Sequence, residues 1–95
     1  MPTNVHNRFN WAITLVQMGW DQEGLEILKI LEWQCPKEPQ VHIQLGKLKK
    51  KMGKKKEALS HFNKALDLDP KDQNTVKSLI EGLNNDNDMD EDNDI

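Results

Sequence analysis

Three histidines and one cysteine are the side chains of this 95-residue chain that could ligate a transition metal or take part in nucleophilic catalysis. They are His6, Cys35, His42 and His61, and no pair of them shows the short spacing typical of zinc ligands. A thiol nucleophile also needs a positioned base, and nothing in the sequence places one beside Cys35. We therefore predict no catalytic residue, no metal site and no cofactor.

Alternating acids near the C terminus have part of the pattern of a calcium-binding loop. Asp86, Asp88 and Asp90 alternate as such a loop requires, but Glu91 stands where the loop needs glycine, and its closing glutamate would lie past Ile95. Residues 84–95 contain six acids, no base and only two apolar side chains. This composition predicts a disordered acidic tail rather than a calcium site.

Seven lysines within residues 47–56 could indicate a nuclear localisation signal or a nucleic-acid patch. However, Leu48 and Met52 interrupt the segment at helical spacing, and no aromatic residue is interleaved, as single-strand binding would need. We favour a solvated corner between two helices, with an acidic protein partner as the alternative, and predict no nucleic-acid binding. The lysines are Lys47, Lys49, Lys50, Lys51, Lys54, Lys55 and Lys56.

Cysteine content and hydropathy limit the cellular compartments in which the protein is expected. A single cysteine excludes a disulfide within the chain and fits a reducing interior. No apolar run is long enough to span a membrane, and no signal peptide pattern is evident. We predict a location in the nucleus and cytoplasm, without membrane association.

The elements that carry these residues follow a 34-residue helix–turn–helix pattern, that of the tetratricopeptide repeat (TPR). Gly46 and Ala58 are small enough for two helices to approach closely, Gly53 marks the turn between them, and Pro70 ends the second helix. The matching landmarks are Leu45, Gly46, Ala58, Phe62, Ala65 and Pro70.

A shift of one period towards the N terminus lands on residues of the same kind, because Gly53 falls on Gly19 and Ala58 on Gly24. The predicted fold class is therefore all-α, a TPR solenoid fragment with two repeats and a C-terminal capping helix. The predicted units are a degenerate repeat at 4–36, a repeat at 37–70, a capping helix at 71–83 with Asp72 as its N-cap, and the tail at 84–95.

The first helix has little polar surface, which predicts a piece of a longer solenoid and possible self-association of the fragment through that edge. Its apolar residues are Phe9, Trp11, Ile13, Leu15 and Val16.

Three segments resemble the C-terminal end of one family in particular, the cell-division-cycle-27-like TPR subunits of the anaphase-promoting complex. They are Gln-Cys-Pro-Lys-Glu-Pro at 34–39, Leu-Gly-Lys-Leu at 45–48 and Ala-Leu-Asp-Leu-Asp-Pro-Lys at 65–71. The resemblance covers about residues 4–83, although His42 and Lys49 depart from the signature aromatic residues. It implies a non-catalytic scaffold in a multi-subunit ubiquitin ligase that acts in cell division, binding extended Ile-Arg tails of coactivators and of another subunit.

The resemblance, together with the inner faces of helices predicted at 5–18, 39–52 and 72–83, predicts a groove for such a tail. Apolar side chains would hold an aliphatic residue, amides would hydrogen-bond the peptide backbone, and Glu81 would pair with the arginine. The predicted peptide-binding residues are Phe9, Ile13, Gln40, Ile43, Gln44, Lys47, Asn74, Lys77 and Glu81.

The alternative interpretation is a chaperone-linked TPR adaptor. Such adaptors clamp the terminal carboxylate of an acidic peptide with Lys, Asn and Arg on successive inner helices. Phe9 and Ile13 are apolar where the clamp needs Lys and Asn, and no Arg follows, so we place the adaptor second.

Deletion of residues 84–95 should leave the helical circular dichroism and the thermal midpoint nearly unchanged, because this segment has almost no apolar surface to bury. Thermal melts of the full and truncated chains test this. A midpoint several degrees lower in the truncated chain would instead show that the acidic tail docks on the folded part, for instance on the lysines.

Overall fold

The computed structural model describes residues 4–68 and 73–85, and these form α-helices without any strand. The helices are α1 (Asn4–Gln17), α2 (Asp21–Gln34), α3 (Pro39–Lys51), α4 (Lys55–Leu68) and α5 (Gln73–Asn85). The predicted all-α class and TPR-type architecture are confirmed. Within the part described, no helix has the length and apolar character needed to cross a lipid bilayer.

Several predicted features at the C-terminal end lie outside the described residues, namely the helix stop at Asp69-Pro70, the cap at Asp72 and the tail from residue 86 onwards. Helix α5 runs to Asn85, two residues past the predicted end of the capping helix at 83. A deletion that tests the tail alone should therefore begin at residue 86.

The α1–α2 and α3–α4 turns are built in the same way, one period apart. Gly19 and Gly53 have φ angles of 90° and 83°, in the left-handed region that favours glycine. The Gly19 N–H donates to the carbonyl of Val16 and the Gly53 N–H to that of Lys50, both at 3.0 Å. The first hairpin therefore has the geometry of the second, although its sequence is degenerate.

Small residues at the seam of each hairpin let the paired helices approach closely. A Cβ atom at Gly46 would lie 2.5 Å from a ring carbon of the fully buried Phe62. At Gly24, a Cβ atom would lie 2.6 Å from Cγ2 of Val16 and 3.1 Å from the carbonyl oxygen of Ala12. Neither seam has room for a larger residue, since such overlaps cannot occur in a close-packed interior.

Helix α3 lies between two apolar cores and contributes to both. It begins at Pro39, a residue suited to the first helical position, and the Glu38 side chain accepts a hydrogen bond from the Gln40 N–H at 3.3 Å. The core shared by α1, α2 and α3 contains Ala12, Leu25, Leu28, Leu31, Val41, Leu45 and Leu48. The core shared by α3, α4 and α5 contains Ile43, Ala58, Phe62, Ala65, Val76 and Leu83.

Large apolar side chains remain exposed on the first hairpin. Trp11 is 51% exposed, whereas Leu45, one period later, is buried against α2. Leu45 lies on the face of α3 that packs against α2. The corresponding face of α1, which carries Trp11, is thus open to solvent. Self-association through this face stays a prediction. The exposed residues are Trp11, Met18, Trp20, Ile30 and Trp33.

The lysine segment is partly structural, which corrects the expectation of a wholly solvated corner. Lys49 is 9% exposed and forms an ion pair with Glu57 at 2.8 Å. This hydrogen bond and the lysine charge lower the pKa of Glu57. Lys51 Nζ donates to Asp21 at 2.9 Å and to the carbonyl of Val16 at 3.0 Å, which links α3 to the first hairpin.

Replacement of Gly46 by Ala should destabilise the chain, whereas the same change at Gly82 should not. Both substitutions gain helix propensity, but only at Gly46 does the new methyl group overlap a buried ring, while at Gly82 the nearest atom is Lys50 Nζ at 3.7 Å. We expect the free energy of unfolding of Gly46→Ala to be roughly 1–3 kcal/mol lower than that of Gly82→Ala. Urea titrations give the difference, and equal values for the two variants would contradict the described seam.

Replacement of Lys49 by Leu should leave stability unchanged or raise it. The residue one period earlier, Leu15, is buried without difficulty. Glu57 is 53% exposed and stays solvated when its partner is removed, and an ion pair with an exposed member contributes little to stability. Thermal melts of Lys49→Leu, with Lys64→Leu as a control at an exposed position of α4, test this. A clearly lower midpoint for Lys49→Leu than for the control would show that the ion pair itself is required.

Candidate peptide-binding groove

The odd-numbered helices α1, α3 and α5 line two neighbouring depressions of the surface. The first, of about 310 Å³, is lined mainly by α1 and α3. The second, of about 500 Å³, lies between α3 and α5. Lys47 lines both depressions, so its exposed ammonium group stands where they meet.

The first depression has an apolar wall and a polar edge. Ile13 and Val16 of α1 face Leu48 of α3 across it, and Leu28 of α2 also lines it. The partly exposed Ile13 and Val16 can hold one aliphatic group of a ligand, because they offer apolar surface that water solvates poorly, whereas Leu28 and Leu48 are almost fully buried. The polar groups that line it are Gln17, Gln44, Lys47 and Lys51.

Four of the five residues that line the second depression have polar side chains, although most of the surface exposed there is apolar. Asn74, Thr75 and Ser78 of α5 line it beside Leu79, opposite Lys47. The Asn74 amide and the Ser78 hydroxyl can donate and accept hydrogen bonds, as an extended peptide backbone requires. The two depressions together therefore offer an apolar pocket, a cation and a hydrogen-bonding surface in succession.

The structure distributes the predicted binding residues unevenly. Ile13, Gln44, Lys47 and Asn74 line the depressions, and Phe9 is half-buried against the first core. The remaining polar residues are exposed on α3 and α5 but do not line either described depression; they are Gln40, Lys77 and Glu81.

Ile43 corrects the predicted set, because its side chain is 4% exposed and belongs to the second core. Helix α5 packs over it through Val76 and Leu83. Ile43 therefore holds α5 in place rather than offering apolar surface to a ligand.

Away from the groove, the structure brings together three groups that spacing along the chain did not indicate. Glu32, His42 and His61 come from α2, α3 and α4, and each offers one ligand atom, all within 4.8 Å of one another. The prediction of no metal site rested on sequence spacing alone. Spacing cannot support that prediction here, because the three residues meet only through the packing of the two hairpins.

The two histidines of this cluster differ in environment. His42 is 1% exposed, and its Nε2 lies 2.9 Å from the carbonyl oxygen of Pro36. Its ring lies 5.9 Å from that of the half-exposed His61, centroid to centroid, at an interplanar angle of 25°. Burial lowers the pKa of His61, and the charge of Glu32 opposes this shift. One feature of the sequence indicated this cluster. His42 occupies a signature aromatic position of the repeat, and a polar ring that is buried there requires hydrogen-bonding partners.

Comparison with known proteins agrees with the geometry. Residues 39–72 match the tetratricopeptide repeat family. The chain is 46% identical to anaphase-promoting complex subunit 3 of Dictyostelium discoideum over 82 residues, which are 86% of this chain and 8% of that protein. It is 40% identical to the subunit of the same name from Schizosaccharomyces pombe over 76 residues, or 80% of this chain and 11% of that protein.

A third relative is Protein bimA of Emericella nidulans, 44% identical over 52 residues, which are 55% of this chain and 6% of that protein. The chain thus spans only a small part of each relative's length. With helical hairpins one period apart, a matching repeat and these similarities, the chain belongs to the tetratricopeptide-repeat proteins and is similar to anaphase-promoting complex subunit 3 over most of its own length.

Proposed function

We propose that this chain is part of a non-catalytic TPR scaffold subunit of an anaphase-promoting complex and binds the extended C-terminal tail of another protein in the groove of α1, α3 and α5. The similarity to two subunits of that complex supports the first half. The second half rests on one observation, that a depression with aliphatic side chains of α1 and a depression with polar side chains of α5 meet at Lys47.

The depressions suit a tail that ends in an aliphatic residue followed by a charged one. The aliphatic side chain packs against the partly exposed Ile13 and Val16, where it buries apolar surface. The terminal carboxylate pairs with Lys47, an exposed cation whose three donors can be shared with the peptide. Gln44 and Asn74 hydrogen-bond the peptide backbone from either side.

An Ile-Arg ending fits this arrangement and remains our preferred ligand, as carried by coactivators or by other subunits. The arginine needs an acidic partner, and exposed Glu81 of α5 remains the predicted one. Because Glu81 does not line the described depressions, the arginine side chain would have to extend along α5 beyond them.

The chaperone-linked adaptor remains the second candidate. An acidic tail requires several free cations in the groove. Among the residues that line the two depressions, the cations are Lys47 and Lys51, and Lys51 already pairs with Asp21. With one uncommitted lysine at the centre and apolar Ile13 on α1, the groove favours a single carboxylate over a run of them.

A scaffold in this ligase would act in cell-cycle control and ubiquitin-dependent proteolysis, with catalysis in other subunits. A location in nucleus and cytoplasm remains our prediction for such a subunit.

Titration with labelled peptides tests the proposal. A peptide ending in Ile-Arg should bind with a Kd on the order of micromolar or weaker, because one aliphatic anchor and one charge are buried. A matched peptide ending in Ala-Ala should bind at least about tenfold more weakly, since it loses the aliphatic anchor. Lys47→Ala should weaken binding of the Ile-Arg peptide, whereas Lys29→Ala, an exposed lysine on α2, should not.

Equal binding of the two peptides would reject tail recognition in this groove. Preference for a peptide ending in Glu-Glu-Val-Asp would favour the adaptor. Equal losses in Lys47→Ala and Lys29→Ala would show that binding depends on net charge and not on the junction of the two depressions.

A further inference from the structure

His42 carries a buried nitrogen that lacks a hydrogen-bond partner. Nε2 of this ring lies 2.9 Å from the Pro36 carbonyl oxygen, which can only accept, so Nε2 is the atom that bears hydrogen. In the neutral ring, Nδ1 then presents a lone pair. This Nδ1 is buried without a hydrogen-bond partner, a condition that is rare for polar atoms in protein interiors.

The unpartnered nitrogen faces further electron-pair donors. Oε2 of Glu32 lies 3.7 Å from Nδ1 of His42 and 4.0 Å from Nδ1 of His61. A carboxylate oxygen and a lone pair repel one another unless a cation or a proton lies between them. The three groups therefore converge on a position that calls for positive charge.

We propose that Glu32, His42 and His61 form a binding site for a divalent transition-metal ion, Zn²⁺ foremost, which joins the two helical hairpins. Two imidazole nitrogens and a carboxylate oxygen are a ligand set that zinc accepts in proteins. Calcium and magnesium prefer all-oxygen sites, so they fit this cluster less well.

The distances are close to those that zinc needs. Ligand atoms at 2.0–2.1 Å from a tetrahedral ion lie about 3.4 Å apart, against 3.7 Å and 4.0 Å for the two measured pairs. A shift of well under an ångström in Glu32, whose side chain is 32% exposed, closes these two differences. The third pair, between the two histidine nitrogens, lies within 4.8 Å, and movement of the partly exposed His61 has to close it. His61 is 19% exposed, so the ion can enter from solvent and water can take the fourth position.

The outer contacts of the cluster also suit a metal. Metal-binding histidines usually donate their second nitrogen to a backbone carbonyl or a carboxylate, which fixes the tautomer and the ring orientation. Pro36 supplies this carbonyl to His42. The ligand of lowest mobility, His42, is thus held with its free nitrogen directed at the other two groups before any ion binds.

The consequence for the fold is a brace between repeats. Glu32 belongs to the α1–α2 hairpin, whereas His42 and His61 belong to α3 and α4. An ion held by all three restrains how one hairpin is set against the next, and ions that bind the folded chain alone also raise its stability by mass action.

Zinc titration of the untagged chain against a chromogenic chelator tests the proposal. We expect one Zn²⁺ per chain, with a Kd on the order of micromolar or tighter. Glu32→Gln and His61→Gln should each weaken binding at least about tenfold, while Glu26→Gln, His6→Gln and Cys35→Ser should bind as the unmodified chain does. Circular dichroism confirms that every variant folds.

A second readout is independent of affinity. Zinc should raise the thermal midpoint of the unmodified chain and of His6→Gln, but not that of His61→Gln. Absence of binding at about 100 µM zinc would overturn the proposal. Equal weakening in His6→Gln and His61→Gln, or loss in Cys35→Ser alone, would also overturn it.

Discussion

The contact between Gly46 and the Phe62 ring is the constraint on which the rest of this structure depends. Because Gly46 has no side chain, the aromatic ring occupies the space of a missing Cβ and α4 lies directly against α3. This close approach leaves the opposite side of α3 free to pack on α2, and so one short helix serves two cores. Helix α4 cannot separate from α3 without exposing Phe62, and α3 cannot leave the first hairpin without exposing Leu45 and Leu48.

The same helix also directs the two functional surfaces. Gln44 and Lys47 point from α3 into the groove, while His42, on another side of the helix, meets Glu32 and His61. Rotation or sliding of α3 would change both surfaces at once. If both proposed sites are occupied, a ligand in one and an ion in the other would be coupled through the setting of this helix.

Much of the fold could be predicted from the sequence because turns and seams depend on local requirements. Gly53 and its counterpart Gly19 adopt a positive φ angle that few other residues adopt. Gly46 lies where a side chain would overlap Phe62. Residue type alone therefore indicates the structure at these positions. The groove residues were harder to predict from the sequence, because helical spacing does not indicate how far α5 covers α3. Ile43 lies under α5 for this reason. Likewise, the burial of Lys49 and the meeting of His42 with His61 depend on how α4 is set against α3, and the approach of Glu32 depends on how the two hairpins are set against each other. No spacing within one helix encodes either.

The exposure of all three tryptophans has a practical consequence for anyone who studies this chain by fluorescence. The indole rings of Trp11, Trp20 and Trp33 are 51%, 55% and 82% exposed, so in the folded chain they already emit from a largely aqueous environment. Their emission should change little when the chain unfolds. A denaturation curve followed by tryptophan emission would therefore show little or no unfolding transition. The same rings are well placed to respond when another protein surface covers the first hairpin, since each would then move from water into an apolar contact. Intrinsic fluorescence of this molecule is thus a weak gauge of folding and a sensitive gauge of assembly.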